Sequence, residues 1–185
     1  HYLILDLKSK EIQIHKYWDA ADAYQLPKLN ISLKEAENKT EEILTSAFQY
    51  RMISDVPVGV FLSGGYDSSC VTALLQKNSA TKIKTFTIGF EDPKYNEAGF
   101  AKEVASHLGT DHHEQICSFQ EAMDIIPELS TIYDEPFGDS SAVPTTLVSR
   151  VARKHVTVAL SADGGDELFA GYPRHRKSLN QLKKL

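Results

Sequence analysis

The sequence predicts an α/β fold, a parallel sheet with helices packed on both faces. Three observations predict it. Apolar, β-branched runs of strand length alternate with helical stripes along most of the chain. The runs are apolar at successive positions, so both faces of each strand are buried. Two strands lead directly into glycine-rich polar turns, and ligands in such sheets bind at the carboxyl ends of the strands.

The first strands are of another kind. Tyr2, Ile4 and Asp6 alternate with Leu3, Leu5 and Leu7; Lys8-Ser9-Lys10 is a polar turn, and Ile12 and Ile14 follow at period two. That is a hairpin. A lone hairpin is marginal in water, so this one reads as the edge of a sheet outside the chain. The chain opens on His1-Tyr2-Leu3 in a strand pattern and closes on Leu182-Lys183-Lys184-Leu185 in a helical one. It therefore reads as an excerpt of a longer protein, cut at both ends. The expected division is a terminal hairpin over 1–18, a linker over 19–31 holding Pro27, and a main domain over 32–185.

The main domain opens with Ser32-Leu33-Lys34-Glu35, a capping box, and a helix expected to end near Ser54. Val58 to Leu62 is a buried strand, broken by Ser63-Gly64-Gly65, and a helix runs from Asp67 to about Lys77. Ile83 to Phe90 is the next strand. Ala98, Ala101, Val104, Ala105 and Leu108 form a helical stripe, with Gly109 where a C′ glycine belongs. His113 to Cys117 is a short strand. Ser118 and Glu121 make a second capping box, opening a helix interrupted at Pro127. A polar loop, Tyr133 to Ser141, leads to a helix ending near Lys154, and Val156 to Leu160 is the last strand.

Composition excludes several classes of function. At about 150 residues per domain, 185 residues make one domain and a piece. Hydrophobic residues are 42% and charged residues 24%, ordinary for a globular protein. No apolar run nears the roughly 18 residues of a membrane span. The net charge of −5 argues against nucleic-acid or membrane binding through bulk charge. Two cysteines, Cys70 and Cys117, are too few for a disulfide framework and lack metal-ligand spacing. A reducing cytoplasm is the simplest compartment.

The first glycine-rich turn is Ser63-Gly64-Gly65-Tyr66-Asp67-Ser68-Ser69. Glycines let the backbone approach a ligand, and the free N–H groups of the following helix favour an anion. It is neither a Walker A loop nor G-x-G-x-x-G. Asp67 in a phosphate cradle would repel phosphates, a conflict that a bridging Mg²⁺ removes. The bland alternative is a glycine turn with an Asp/Ser helix cap. The second turn, Ser161-Ala162-Asp163-Gly164-Gly165-Asp166-Glu167, sets three acids beside two glycines. It is expected to face the first, so that Asp67 and Asp166 could hold one metal ion. Its bland alternative is first-turn helix acids favoured by the dipole.

Ser-Gly-Gly-x-Asp-Ser-Ser after a strand resembles the pyrophosphate loop of the ATP pyrophosphatases. The segment Leu160 to Tyr172 resembles the second signature of the synthetase domain of glutamine-hydrolysing asparagine synthetases and of their β-lactam synthetase relatives. Thr85 to Phe90 and Asp134-Glu135-Pro136-Phe137-Gly138-Asp139-Ser140-Ser141 match further, and His1 to Asp19 resembles the end of that family's glutaminase domain. The resemblance covers nearly the whole chain. It implies the adenine-nucleotide α-hydrolase type of sheet, and ATP and Mg²⁺ as cofactors. By motif it places nucleotide contacts at Leu62, Ser63, Gly64, Gly65, Asp67, Ser68, Ser69, Ile88, Ser161 and Ala162, metal ligands at Asp67 and Asp166, and acyl-adenylate formation at Asp163. Tyr66, Ala162 and Ala170 depart from the pattern, the first replacing Leu and the others Gly.

The implied reaction is amidation of aspartate through β-aspartyl-AMP, with ammonia from glutamine. The implied partners are ATP, aspartate or another carboxylate, ammonia and an N-terminal glutaminase domain in the parent chain. No nucleic acid or membrane is among them, and a homodimer is allowed for. Two alternatives stay open: an amidotransferase for another carboxylate, such as a sugar acid, and a nucleotide-binding module without turnover. Neither cysteine occupies the family's N-terminal nucleophile position. Cys70 reads as a small buried helix residue, His112-His113 as a surface turn, and the basic tail of Arg174, His175, Arg176, Lys177, Lys183 and Lys184 as a solvated helix face. Asp134, Glu135 and Asp139 form an acidic loop that either faces the site or merely solvates the loop and caps the next helix at Ser140.

Overall fold

The structure is a computed structural model that describes residues 1–136 and 138–182, without the Arg176 side chain. Phe137, the Arg176 side chain, Lys183, Lys184 and Leu185 lie outside the described residues. The chain divides into two units, His1–Lys39 and Thr40–Leu185.

In the first unit, β1 (Tyr2–Leu5) pairs antiparallel with β2 (Ile12–His15), from Tyr2 opposite His15 to Leu5 opposite Ile12. Asp6 ties the turn, its Oδ1 accepting from the Lys8 and Ser9 N–H groups at 2.7 and 2.9 Å. The hairpin's aliphatic side chains are all exposed. The expected linker differs from the reading: it holds a short helix, α1 (Ala20–Gln25), which Asp19 caps by accepting from the Ala21 N–H at 2.8 Å. A strong N-cap followed by helix-favouring Ala20 and Ala21 outweighs the polar, Pro27-bearing composition that suggested coil. The capping box at Ser32 forms, with Ser32 N–H donating to Glu35 Oε2 at 2.8 Å and Glu35 N–H to Ser32 Oγ at 3.3 Å. It starts α2 (Leu33–Met52).

The second unit is the predicted sheet. Its elements follow as β3 (Val58–Phe61), α3 (Tyr66–Lys77), β4 (Lys84–Phe90), α4 (Ala98–Leu108) and β5 (Asp111–Cys117). Then come α5 (Phe119–Ile125), a 3₁₀ turn at Pro127, α6 (Leu129–Ile132), α7 (Ala142–Arg153), β6 (Val158–Leu160), α8 (Gly165–Phe169) and α9 (Pro173–Leu182). The four strands lie in the order β5-β4-β3-β6, all parallel. After β3 the chain steps outward through β4 and β5, then returns to the other side of β3. The order therefore reverses between β3 and β6, and a ligand crevice is expected at their carboxyl ends.

Side-chain alternation feeds two cores. Val60 packs with Val71 and Leu75 of α3, and Leu62 with Ala101 and Ala105 of α4. On the opposite face Phe86 packs with Val151 and Ala152 of α7, and Cys117 with Ile125 of α5 and Leu147 of α7. Gly59 has no side chain because the Phe86 ring lies against it. Burying these apolar groups stabilises the unit by about 25 cal/mol per Å².

β5 is longer and more polar than the reading of apolar strands suggests, as befits an edge strand. This corrects the reading of His112-His113 as a turn. Both lie inside β5, on opposite faces. His112 Nδ1 bonds Thr85 Oγ1 at 2.9 Å, whereas His113 stacks on Phe86 and on His155, at 5.3 and 3.9 Å between centroids. Register with β4 sets His112 beside Thr85 and His113 beside Phe86, so the imidazoles serve as packing groups.

Candidate functional site

The crevice is present. A cleft of about 710 Å³ opens at the carboxyl ends of β3, β4 and β6. Leu62, Ser63, Gly65, Asp67 and Ser68 line it from the first turn, Ile88 from β4, and Ser161, Ala162, Asp163 and Asp166 from the second turn. The two turns meet because β3 and β6 are neighbours, with Val60 opposite Leu160. Leu62 continues β3 by donating its N–H to the Phe86 carbonyl at 2.9 Å.

The first turn is a hydroxyl-braced loop. Ser68 is buried, and its Oγ accepts from the Ser63 N–H at 3.2 Å and lies 2.9 Å from Ser63 Oγ. Thr72, fully buried, donates to the Ser68 carbonyl at 2.7 Å. Gly65 is the N-cap of α3 and provides no side-chain acceptor, so the first N–H groups of a 12-residue helix are free at the cleft. Gly64 has φ +83°, and a Cβ there would lie 2.6 Å from the Ala101 nitrogen. It shapes the turn against α4 and is not among the residues lining the cleft. Ser69 turns toward the groove between α3 and α4, with its Oγ buried and unpartnered.

The second turn depends on backbone conformation. Gly164 has φ +97°, and α8 ends at Ala170 with φ 56°, one of two non-glycine residues with positive φ among the described residues. Ala162, the other departure from glycine, has no positive φ and packs against the Val60 cluster. Gly165 lies under the Asp67 carboxylate, where any side chain would collide with it. The acids of the two turns are thus in one place: Asp67 rests on the residue before Asp166. No hydrogen bond or ion pair satisfies either carboxylate among the described residues. Two free carboxylates beside a cradle of N–H and O–H donors are a donor set that fits a hard, phosphate-bridging cation.

Glu167 is engaged otherwise. Tyr172 Oη donates to its Oε1 at 2.6 Å, which lowers the Glu167 pKa and raises that of Tyr172. Asp139 ties the turn before α7, accepting from the N–H of the N-cap residue Ser141 at 2.8 Å, which lowers its pKa. Neither Asp134, Glu135 nor Asp139 lines the cleft. Cys70 corrects another expectation, because it is exposed. Its helix position faces away from the sheet, and its thiol is held up by partial burial and then by the charges of Asp67 and Glu41. That makes it a poor thiolate. Cys117 is fully buried.

Sequence reasoning missed the wall opposite the turns. Ser141, just before α7, and Pro144, Thr145 and Val148 within it line the cleft, as do Phe90 at the end of β4 and Tyr95 and Glu97 after it. The one available signal was the apolar stripe of α7, which had to cover the Phe86–Ile88 face and so had to pass the cleft.

The family model described as asparagine synthase matches residues 39–185. A protein assigned as glutamine-hydrolyzing asparagine synthetase 2 in Methanocaldococcus jannaschii is 44% identical over 94% of this chain and 33% of its own length. Asparagine synthetase 1 (glutamine-hydrolyzing) of Bacillus subtilis is 40% identical over 77% of this chain and 22% of its own. Asparagine synthetase B of Escherichia coli is 33% identical over 90% and 31%. The chain thus spans a third or less of the relatives it matches. Among solved structures, an NH3-dependent NAD synthetase from Campylobacter jejuni aligns with a TM-score of 0.49 at 17% identity, over 73% of this chain and 60% of its own. The family match covers the whole of the second unit, both turns included: the chain belongs to the asparagine synthase family.

Proposed function

We propose that this chain is the ATP-activating part of a ligase that converts a carboxylate into an amide, with aspartate as the carboxylate and glutamine-derived ammonia as the nitrogen source. The observation that carries the reading is the meeting of two acid-bearing turns, each at the end of a parallel strand, in one cleft. Family membership supports ATP-dependent amidation, and the chain's similarity to proteins named asparagine synthetase supports aspartate.

In this reading the first turn holds the pyrophosphate portion of ATP through the α3 N–H groups and the Ser63 and Ser68 hydroxyls. Leu62, Ile88, Ser161 and Ala162 hold the adenosine. Asp67 and Asp166 would hold Mg²⁺, which when bound neutralises charge on the departing pyrophosphate. The substrate carboxylate attacks the α-phosphorus, the bond to pyrophosphate breaks, and an acyl-adenylate forms beside Asp163. Ammonia then displaces AMP to leave the amide. The glutaminase domain that would supply the ammonia and the residues that select the acceptor belong, in this proposal, to a longer parent protein of the cytoplasm, with residues 1–18 as the end of that domain and 19–31 as the connection.

The test is carboxylate-dependent ATP–pyrophosphate exchange and amide formation by the full-length parent, with aspartate set against other carboxylates. Exchange with aspartate and asparagine as product are the expected results. Exchange with a sugar acid alone would move the acceptor, and tight ATP binding without exchange would leave a nucleotide-binding module.

A further inference from the structure

The chain returning after α8 is folded tightly over Asp166. The N–H groups of Ala170 and Gly171 both donate to the Asp166 carbonyl, the second at 3.0 Å. The reversal passes through Ala170 in the left-handed region, which costs an alanine about 1–2 kcal/mol. Gly171 then lies against the Asp166 side chain: a Cβ there would overlap a carboxylate oxygen and sit 2.9 Å from Cγ. Tyr172 closes the turn by donating to Glu167 Oε1 at 2.6 Å, while Arg174 stacks its guanidinium 4.2 Å over the phenol ring. The bond to Tyr172 occupies the neighbouring acid, and Asp166 is left as the free carboxylate facing the cleft.

We infer that Gly171 and Tyr172 are positioning residues for Asp166, a strap that fixes its carboxylate in the orientation a metal ion needs. This rests on the reading of Asp166 as a ligand. The strain at Ala170 is consistent with a turn held for its effect on a neighbour. Groups that orient a ligand without touching the ion typically contribute tenfold to hundredfold in metal affinity.

The experiment uses the full-length parent with Mn²⁺ as the probe, bound in the presence of α,β-methylene-ATP and followed by electron paramagnetic resonance, so that no turnover is needed. Gly171→Ala is expected to weaken Mn²⁺ binding by about tenfold or more, and Tyr172→Phe by less. In an Asp166→Asn background, Tyr172→Phe should change nothing further. If Asp166→Asn weakens binding while both strap variants stay within about twofold of the parent, the strap is overturned and the metal site stands. If Asp166→Asn itself binds Mn²⁺ like the parent, the metal reading falls and the strap with it. Should Gly171→Ala fail to fold, Tyr172→Phe decides alone, since it leaves the backbone unchanged.

Discussion

The two turns at the cleft hold their acids by different means. The turn after β3 is braced by tertiary structure: Ser68 is buried, Ser63 and Thr72 bond to it, and Gly64 is wedged against the α4 backbone. Asp67 then rides on a 12-residue helix packed into the core. The turn after β6 carries Asp163 ahead of a five-residue helix and Asp166 in its first turn, and Leu168 and Phe169 of that helix are exposed. Its shape comes from local backbone choices at Gly164, Ala170 and Gly171. One turn is preformed by packing and buried hydroxyls; the other is held residue by residue. Damage to the first should appear as lost stability and nucleotide binding. Damage to the second should appear chiefly in what its acids do.

Paired glycine substitutions break this comparison most sharply. Gly64→Ala forces a Cβ within 2.6–2.7 Å of α4 backbone atoms at φ +83°, and backbone cannot step aside. A loss on the order of 3 kcal/mol or more is expected in urea denaturation, from overpacking and left-handed strain together. Gly164→Ala has a similar φ, +97°, but nothing within 4 Å of the new methyl. It should lose only the backbone component, about 1–2 kcal/mol. Equal losses would mean that the two turns are supported alike.

Asp67→Asn tests the first turn itself. It is expected to weaken Mg·ATP binding in the full-length parent and to cost about 3 kcal/mol in the barrier to ATP–pyrophosphate exchange. Unchanged exchange would remove Asp67 from the site. Asp163→Asn is the corresponding probe of the second turn. ATP affinity should stay within a fewfold while carboxylate-dependent exchange drops, because a group acting in adenylate formation lowers kcat without holding the ground state. Full exchange would leave Asp163 as a turn former, a job that Asn can do as well.

The first turn was far more legible in the sequence than the second. Ser63-Gly64-Gly65 and the acid-bearing helix after an apolar strand have a local physical meaning, and the neighbouring strands were anticipated from the parallel alternation. The strap over Asp166 was not legible, because it depends on a contact between Gly171 and a carboxylate and on the hydroxyl of Tyr172 reaching Glu167. The role of α7 as the opposite wall was hidden for a similar reason: only the return of the chain across the sheet brings Thr145 and Val148 to the cleft. Local signals also misled. His112-His113 looked like a turn because polar pairs favour turns, yet as an edge strand β5 tolerates them. Cys70 looked buried because thiols usually are, but its register on α3 faces outward.

A pH titration asks whether the turns or the sheet body govern stability. Desolvation is the main cause holding both His112, which is half-buried, and His155, which is exposed at the surface beside His113, below the usual imidazole pKa near 6.5; His113 and neighbouring lysines add to it, and Glu114 and Asp111 respectively oppose it. A lowered imidazole pKa means that the folded state binds fewer protons than the unfolded one. Its contribution is therefore full above about pH 6.5 and is lost as pH falls through the folded values. Denaturation midpoints should fall between about pH 7 and 5, and His112→Gln, which replaces the half-buried imidazole, should flatten that slope. A slope unchanged by the substitution would shift the cause to other groups.

The smallest effect is the most particular to this chain. Ala170 sits at φ 56°, where a Cβ crowds the following carbonyl and glycine does not. If the second turn is held by local backbone choices, removing that strain should help it directly. Ala170→Gly is expected to raise stability slightly, by about 1 kcal/mol at most, because the released strain is partly offset by the greater entropy of glycine in the unfolded chain. Thermal denaturation of the full-length parent measures the sum, and amide exchange at Gly171 reports the turn itself. The N–H of Gly171 bonds the Asp166 carbonyl, so a turn relieved of strain should protect that amide better. Faster exchange with lower stability would show that the methyl of Ala170 contributes packing that outweighs its strain. The turn after β6 would then be braced by side chains too, and the contrast with the turn after β3 would narrow to one of degree.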